Sequence, residues 1–450
     1  MEVEMQVIDA SYTMEDKLAV VELFGRTREG GSVAVRYENF RPYFHVSKDE
    51  RILPMIKQHL KDEIISVQTV PLIYNGEKRD FFKITVKTPE EVKNVRNKLQ
   101  SRAIFASADI VFALRFYYDL DLGLCVRVEG EQIENKNYYT DIVLKASKIE
   151  PIPKAFTVPL TYLSFDIECS IKDKILLTLS AVVKKGEEWI ERIFVGDEEC
   201  IIREFERFVK ETDPDVITGW NIDNYDIAQL MQRAEAKNIA YPHLSRNIHG
   251  LRRHDRFWRA TGRVIADAWW HTKLIEHPKK ETLGAVAHEL LNKGKLEIVG
   301  KKIDEHWAKE REKVIAYCLN DARLALEILL KVKAVDKGFN MAAVANLPLN
   351  QAMENRTSQF IDSLLIRAAD REGYAVPCTK REGEDEEEEG IEGAYVHKIE
   401  SGLRKWIVSV DFKSLYPSII MANNLCFSTF DPKNGTIITP AEAKFLDPSI

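Results

Sequence analysis

Two acidic residues separated by a single position, Asp166 and Glu168, have the type and spacing to bind a metal ion. Apolar Leu163, Phe165 and Ile167 alternate with them, which is the period of two of a β-strand with two different faces. Both carboxylates then project from one face and repel each other unless a cation lies between them. Oxygen ligands favour Mg²⁺ or Mn²⁺. A strand with a solvated acidic face fits the same short pattern, so the decision depends on residues further along the chain.

A third acid, Asp226, lies five positions after Asn221. The apolar pattern before it predicts a short buried strand, and the pattern after it predicts a helix. Either Asp223 or Asn224 is placed to cap that helix. Asp226 is therefore predicted at the junction of a strand and a helix.

A fourth acid, Asp321, lies four positions after Tyr317 within a helical pattern. Residues four apart share one face of a helix, so the phenol and the carboxylate can point to the same place and orient a water molecule. The alternative is that Tyr317 packs in the core and Asp321 faces solvent.

Taken in chain order, these segments resemble motifs of a known family. Residues 165–168, 221–226 and 317–321 are similar to the three motifs of proofreading 3′→5′ exonucleases with a ribonuclease H-like fold. The resemblance implies in-line hydrolysis that releases a nucleoside 5′-monophosphate, with Tyr317 and Glu168 orienting the attacking water. It also implies two Mg²⁺ (or Mn²⁺) ions roughly 4 Å apart, held by Asp166, Glu168, Asp226 and Asp321.

A basic segment lies between the second and third motifs. Residues 246–263 contain six arginines and one acid, with aromatic residues interleaved. Arginine supplies phosphate contacts, and aromatic rings stack on unpaired bases. We therefore predict a DNA-binding surface that includes Asn221, Arg252, Arg253, Arg256 and Trp258. A merely solvated basic loop, with Trp258 in the core, is the alternative.

Residues 410–419 read VDFKSLYPSI and resemble the first palm motif of family B DNA polymerases. A strand over residues 405–411, a tight turn and a helix are predicted to present this motif. The resemblance implies that Asp411 and the carbonyl of Phe412 bind the catalytic metals. It also implies that Ser414, Leu415 and Tyr416 line the triphosphate pocket, where Tyr416 excludes ribonucleotides by crowding their 2′-hydroxyl. Residues 392–396 resemble the linker motif between nuclease and palm.

The resemblance covers essentially the whole chain and is nearest to archaeal family B polymerases. It implies DNA, deoxynucleoside triphosphates and a sliding clamp as partners. In that family the N-terminal domain recognises uracil in the template, and Val111 here stands where proline is usual. Core packing is the alternative explanation for the residues that match this pocket: Tyr12, Pro42, Val92, Ile110, Phe112 and Arg115.

Two polymerase motifs do not occur in the 450 residues, the fingers motif K-x3-N-S-x-Y-G and the Y-x-D-T-D motif. We therefore interpret the chain as the N-terminal part of a replicative DNA polymerase, truncated or split, which needs a C-terminal polymerase part for synthesis. The alternative is a non-catalytic half of a split polymerase that binds DNA and docks the other half.

The elements that must position these residues indicate a multidomain α/β protein. We predict an α+β N-terminal domain over residues 1–129, an exonuclease domain over 130–333, a helical return over 334–373 and a partial palm over 374–450. Strands are predicted at 18–24, 32–37, 43–46, 81–86, 175–183, 192–195, 215–220 and 264–267. Helices are predicted at 89–100, 198–210, 226–237, 307–333 and 351–370, and the acidic run at 384–389 is predicted to be a solvated loop.

Composition narrows the function classes. Hydrophobic residues are 45% and charged residues 30%, which is typical of a globular protein, and no apolar run approaches a membrane span. The six cysteines are scattered without a C-x-x-C pair, which argues against a zinc site and for reduced thiols in a cytoplasmic protein. No signal peptide is predicted before the first strand-like segment, since residues 1–9 are few and include two Glu. The net charge of −7 does not itself favour nucleic acid as a partner, although an acidic enzyme can carry a local basic groove.

Overall fold

The computed structural model describes residues 1–99, 102–240, 242–294, 302–379, 397–398, 401–426 and 429–447. The chain forms two compact units, Met1–Lys380 and Arg381–Ile450, and each is described by itself. None of the helices within these described ranges combines the length and apolar character that crossing a membrane requires.

The first unit contains sixteen described strands and twelve described helices. In chain order the strands are β1 (Glu2–Glu15), β2 (Leu18–Thr27), β3 (Ser32–Tyr37), β4 (Tyr43–Ser47), β5 (Ile64–Tyr74), β6 (Glu77–Val86), β7 (Phe105–Ala106), β8 (Cys125–Gln132), β9 (Ile142–Pro151), β10 (Thr161–Cys169), β11 (Leu176–Lys185), β12 (Glu188–Val195), β13 (Val216–Gly219), β14 (Arg252–His254), β15 (Phe257–Arg259) and β16 (Val264–Asp267). The helices are α1 (Ile52–Leu60), α2 (Pro89–Leu99), α3 (Phe112–Asp119), α4 (Glu198–Thr212), α5 (Asp226–Ala236), α6 (Ala268–Glu276), α7 (Leu283–Leu291), α8 (Ile303–Lys309), α9 (Arg311–Lys331), α10 (Ala334–Ala345), α11 (Leu349–Met353) and α12 (Thr357–Glu372).

The N-terminal strands form a closed barrel in the order β1-β2-β3-β9-β8. Alternate apolar residues of β1 and its neighbours fill the interior, where α3 also packs. The barrel was not predicted, and the predicted domain boundary at 129/130 falls inside β8, because β9 is needed to close the barrel. The four-part domain division otherwise stays a prediction. A separate sheet in the order β5-β6-β4-β7 packs its apolar face against α1 and α2.

The sheet that carries the motif acids has the order β12-β11-β10-β13-β16. β10 pairs antiparallel with β11 and parallel with β13, and β13 pairs parallel with β16. One face packs on α4 and α5, and α9 lies on β10 and β11 from the other side. The predicted α/β fold is therefore confirmed as helices on both faces of a mixed sheet.

Helix α4 shows why the sequence folds locally as predicted. Asp197 caps its first turn by accepting a hydrogen bond from the Cys200 N–H at 3.2 Å. Its buried apolar residues recur at helical spacing on the side that faces the sheet.

Two predicted helices are each divided in the structure. The helix predicted at 307–333 breaks at Glu310, whose backbone is non-helical and whose carboxylate contacts His306 and Lys313. The helix predicted at 351–370 breaks between α11 and α12, where Glu354 forms an ion pair with Arg259 of β15. Both predictions were wrong at these points. Glu354 meets a residue 95 positions earlier, which helical periodicity does not reveal, whereas the Glu310 contacts have the spacing of a continuous helix and do not explain the first break.

The second unit contains, within its described residues, one helix and one pair of short strands. They are α13 (Leu415–Ala422), β17 (Ile437–Ile438) and β18 (Lys444–Phe445). The strand predicted at residues 405–411 does not form. A strand needs a hydrogen-bonded neighbour, and the described part of this unit pairs no strand with that segment. The helix predicted after the turn is confirmed as α13. The acidic run and residues 392–396 lie outside the described residues.

Candidate active site

The first two acids lie as the strand pattern predicted. Asp166 and Glu168 share one face of β10, whereas Phe165 and Ile167 are buried in the core on the opposite face. Asp166 lies directly across from Ser180 of β11. The pair therefore faces the layer that contains α9.

Asp226 reaches the same strand from the start of α5. Its Oδ1 accepts a hydrogen bond from the backbone N–H of Ile167 at 3.2 Å, and the residue is 2% exposed. The pairing of β10 with β13 ends at Ser164, so Ile167 lies beyond the last paired residue of β13 and its N–H bonds to a side chain instead. This bond brings the Asp226 carboxylate to the strand position between Asp166 and Glu168.

The chain before Asp226 passes very close to β10. A Cβ on Gly219 would lie 2.8 Å from the carbonyl oxygen of Phe165, so only glycine fits there without movement. Asn221 then adopts a left-handed conformation with φ of +63°. The helix cap predicted at Asp223 or Asn224 was wrong, because Tyr225 occupies the cap position without a side-chain hydrogen bond.

The fourth acid is supplied by α9. Asp321 is buried, with 5% exposure, and Tyr317 is half-buried one turn earlier. Cys318 donates a hydrogen bond from Sγ to the backbone carbonyl of Asp166 at 3.2 Å. The alternative in which Asp321 faces solvent is therefore wrong, because the contact between α9 and β10 buries this part of the helix.

The carboxylates of the site act on one another electrostatically. Burial raises the pKa of Asp166 well above its ordinary value, and the charges of Asp226, Glu168 and Asp321 raise it further. Burial also raises the pKa of Asp226, although the Ile167 N–H lowers it in part. Such mutual repulsion indicates a site that gains stability from a cation.

The residues fit a hard divalent cation. Asp166 Oδ2 is buried without a hydrogen-bond partner, and carboxylate oxygens are the ligands that Mg²⁺ and Mn²⁺ prefer. Within the described ranges, no three His, Cys, Asp or Glu side chains are already grouped as a ligand set. Repulsion among the carboxylates opposes such grouping until a cation neutralises them.

The basic segment divides into buried and exposed arginines. Arg246 and Arg263 are fully buried and pair with Asp213, at 2.9 and 3.0 Å, and Arg246 also pairs with Asp215 at 2.7 Å. Arg26 of β2 pairs with the same two acids. Arg246 and Arg263 therefore do not belong to a solvated basic loop, and the barrel joins this buried cluster through Arg26.

The other arginines lie on the hairpin of β14 and β15. Arg252 and Arg253 are exposed, whereas the Arg256 guanidinium lies 3.2 Å from the ring centroid of Trp270. Trp258 is half-buried, and its indole donates a hydrogen bond to the Asp223 carbonyl at 3.0 Å. Contact of these residues and of Asn221 with DNA stays a prediction.

The six residues matched to a uracil pocket are distributed over more than one environment. The rings of Tyr12 and Phe112 meet edge to face with centroids 5.5 Å apart, and Ile110 packs against the same barrel core. Val92 belongs to the separate core beside the four-stranded sheet, and Arg115 pairs with Asp119 at 2.6 Å. Pro42 is buried. Uracil recognition stays a prediction.

The palm motif is exposed in the second unit. Asp411 is exposed, and Phe412 and Tyr416 are 75% and 73% exposed. Ser414 has a φ of +51° and caps α13, in which Leu415 and Tyr416 form the first turn. The roles of these five residues in metal and nucleotide binding stay predictions.

Sequence reasoning missed Asp267. Its carboxylate caps α6 through the N–H groups of Trp269 and Trp270, and it also accepts the Asn221 N–H at 2.9 Å. An acid at the end of a predicted strand and the start of a helix is a cap signal that could have identified it.

Comparison with known proteins gives two family matches and several similar chains. Residues 178–264 match the family model for the exonuclease domain of DNA polymerase family B, and residues 347–443 match the model for DNA polymerase family B. The first match includes Asn221 and Asp226, and the second includes Asp411.

Similar chains come from archaea and eukaryotes. A DNA polymerase of Archaeoglobus fulgidus is 30% identical over 97% of this chain and 56% of its own length. The DNA polymerase delta catalytic subunit of Drosophila melanogaster is 27% identical over 91% of this chain and 46% of its own. The solved family B DNA polymerase of Pyrobaculum calidifontis superposes with a TM-score of 0.79 at 27% identity, over 99% of this chain and 61% of that one. The chain spans about half the length of the curated relatives it matches.

Proposed function

Because the chain belongs to the family B DNA polymerases, we propose that it is a 3′→5′ exonuclease that hydrolyses the terminal phosphodiester of DNA and releases nucleoside 5′-monophosphates. The observation that carries the proposal is the convergence of four carboxylates between β10, α5 and α9. The charges of Glu168, Asp226 and Asp321 all raise the pKa of Asp166, and Asp226 is bonded to the backbone of the neighbouring Ile167. Two of these acids, Asp226 and Asp321, are only 2% and 5% exposed, and like charges so placed are costly unless a cation neutralises them.

The carboxylates of Asp166, Glu168, Asp226 and Asp321 would hold two Mg²⁺ or Mn²⁺ ions. When bound, these ions supply Lewis-acid polarisation of the phosphodiester and favour deprotonation of the attacking water. Glu168 and the phenol of Tyr317 orient that water toward the phosphorus. Asp321 of α9 and Asp226 of α5 are 5% and 2% exposed, so bulk water has little access to that side of the site.

We further propose that the second unit belongs to a nucleotidyl-transfer site that the remaining length of a polymerase completes. In it Asp411 and the Phe412 carbonyl would bind metal, and Ser414, Leu415 and Tyr416 would bind the incoming deoxynucleoside triphosphate. Primer-template DNA and a sliding clamp would then be partners of the complete polymerase.

A second candidate function is a DNA-binding and docking half without activity of its own. It is supported by the exposed apolar side chains of the second unit, where Leu403 and Trp406 are 99% and 97% exposed. Such residues are usual at surfaces that another polypeptide covers.

An exonuclease assay separates the two candidates. The 450-residue chain should shorten a 5′-labelled single strand one nucleotide at a time from its 3′ end in Mg²⁺ or Mn²⁺, and EDTA should stop the reaction. A strand that stays intact with either metal, although the protein binds it, would favour the docking half.

We predict that the exposed arginines of the β14–β15 hairpin contact the phosphates of the bound strand. Changing Arg252 and Arg253 together to Gln should weaken single-strand binding and reduce the slope of log K against log salt by about 0.7 for each phosphate that is no longer neutralised. Fluorescence anisotropy across a salt series measures this slope. Arg51→Gln is the matched control, because its side chain is 88% exposed on the N-terminal region. Equal slopes for all three proteins would show that the hairpin faces away from DNA.

A further inference from the structure

The loop that delivers Asp226 is held by the neighbouring hairpin at two points. The backbone N–H of Trp258 donates to Asp223 Oδ1 at 3.0 Å, and its indole Nε1–H donates to the Asp223 carbonyl at 3.0 Å. Asp223 is 2% exposed, so both bonds are shielded from water. One residue of β15 therefore fixes both the side chain and the backbone of Asp223, three positions before Asp226.

The same loop is held from its other side by α6. Asp267 Oδ1 accepts the N–H of Asn221 at 2.9 Å and also caps the helix. Asn221 has the left-handed φ of +63°, so this bond holds the chain where it turns sharply out of β13. The loop between Asn221 and Asp226 is thus anchored at both Asn221 and Asp223.

Asp223 is not placed to touch substrate. The cavity it lines, with Trp258, Asp267 and Trp270, has space for water-sized groups of only about 20 Å³, which accommodates about one water molecule. A nucleotide does not fit in such a space. The Asp223 carboxylate must therefore act through the residues it holds.

We propose that Asp223 and Trp258 are positioning residues that hold Asp226 in the geometry needed for metal binding and hydrolysis. This inference rests on the proposed exonuclease function. Asp226 has one described hydrogen bond to the sheet, from Ile167, and the loop before it determines how its carboxylate approaches Asp166 and Glu168. The Trp258 clamp also joins this loop to the hairpin of β14 and β15.

Asp223→Ala removes the acceptor and leaves the Trp258 N–H buried without a partner. Mutation of a residue that orients a metal ligand typically lowers metal affinity or activity by about 10- to 100-fold. We expect kcat and the affinity for Mn²⁺ to fall by that factor, and KM for a single strand to change by less than about twofold, because the DNA-contacting side chains are untouched.

Two milder variants test the hydrogen bonds themselves. Asp223→Asn keeps an oxygen acceptor for the Trp258 N–H and should retain most activity, because the hydrogen bond at Oδ1 can still form. Trp258→Phe removes the indole donor together with part of the ring that packs on the core, and should reduce kcat by about three- to tenfold, the range of one net hydrogen bond. Asp255→Ala is the matched control, because Asp255 lies 64% exposed at the turn of the same hairpin.

The experiment measures Mn²⁺ binding to the DNA-free protein by calorimetry, thermal unfolding, and kcat and KM on a labelled single strand. The proposal requires weaker Mn²⁺ binding in Asp223→Ala, near-normal binding in Asp223→Asn and an intermediate value in Trp258→Phe. Normal Mn²⁺ binding by Asp223→Ala would overturn the proposal. An equal loss of Mn²⁺ affinity in Asp223→Asn and Asp223→Ala would also overturn it. If the unchanged protein binds Mn²⁺ but does not digest DNA, the proposed function fails, while the Mn²⁺ titration still decides the role of Asp223 and Trp258.

Discussion

Replacing Asp166 and Glu168 together by alanine is expected to abolish DNA digestion while the fold stays intact. The change removes two of the four carboxylates and leaves the Asp226 contact with the Ile167 backbone available. Digestion of a labelled single strand in Mg²⁺ and in Mn²⁺ measures the loss. Glu187→Ala with Glu188→Ala is the matched control, since it removes the same charge from two exposed residues, one in the turn before β12 and one at the start of that strand.

The same double variant should be more stable than the unchanged protein when no metal is present. The pKa of Asp166 is raised in the folded state above its ordinary value of 3.8, so the folded state holds a proton more tightly than the unfolded state does. The free energy of unfolding of the unchanged protein therefore falls as pH rises above 3.8. The variant does not lose this free energy, because it lacks the Asp166 carboxyl group. A gain of about 1 kcal/mol would raise the melting temperature by roughly 2–4 °C in a domain of this size.

Thermal unfolding in EDTA at several pH values tests the second expectation. The difference in melting temperature between the two proteins should vanish at low pH and grow toward neutral pH. Normal digestion of DNA by the double variant would contradict the assignment of Asp166 and Glu168 as metal ligands. A variant that melts earlier than the unchanged protein at neutral pH in EDTA would show that the acids do not repel in the folded state.

The 450-residue chain alone is expected to show no primer extension, even with Mg²⁺ and all four deoxynucleoside triphosphates. Two-metal nucleotidyl transfer needs carboxylates from two palm strands, and the sequence supplies Asp411 but no Y-x-D-T-D motif. Asp411 itself lies in an exposed segment that forms no strand. Extension of a labelled primer on a template measures the activity.

Adding a polypeptide that corresponds to the C-terminal part of a family B polymerase should restore extension if it pairs with the exposed apolar segment. Ile407, Val408 and Val410 there are 75%, 82% and 87% exposed. The restored activity should be lost in Asp411→Ala, and Tyr416→Ala should incorporate ribonucleotides. Extension by the verified 450-residue chain alone would show that the absence of the two polymerase motifs was misinterpreted.

Local patterns in the sequence were sufficient to locate the acids of the site. Alternation along β10 placed Asp166 and Glu168 on one face, and the spacing of four in α9 placed Tyr317 and Asp321 on one side of a helix. These periodicities follow from backbone geometry alone, so they hold before any tertiary contact is known. The order of the motifs then predicted that the acids share one site, and in the structure the charges of Asp226, Glu168 and Asp321 all act to raise the pKa of Asp166.

Only the tertiary structure decided which partner each charged or aromatic side chain meets. Six arginines in one segment look equivalent in the sequence, yet Arg246 is buried against Asp213 and Asp215 while Arg252 is exposed. Trp258 was predicted to stack on DNA, but its indole donates to Asp223, 35 positions earlier in the chain. Composition and periodicity report a side chain's type and the face it occupies, whereas its partner depends on how distant segments pack together. For the same reason the barrel closure by β9 and the breaks at Glu310 and before α12 became visible only in the folded chain.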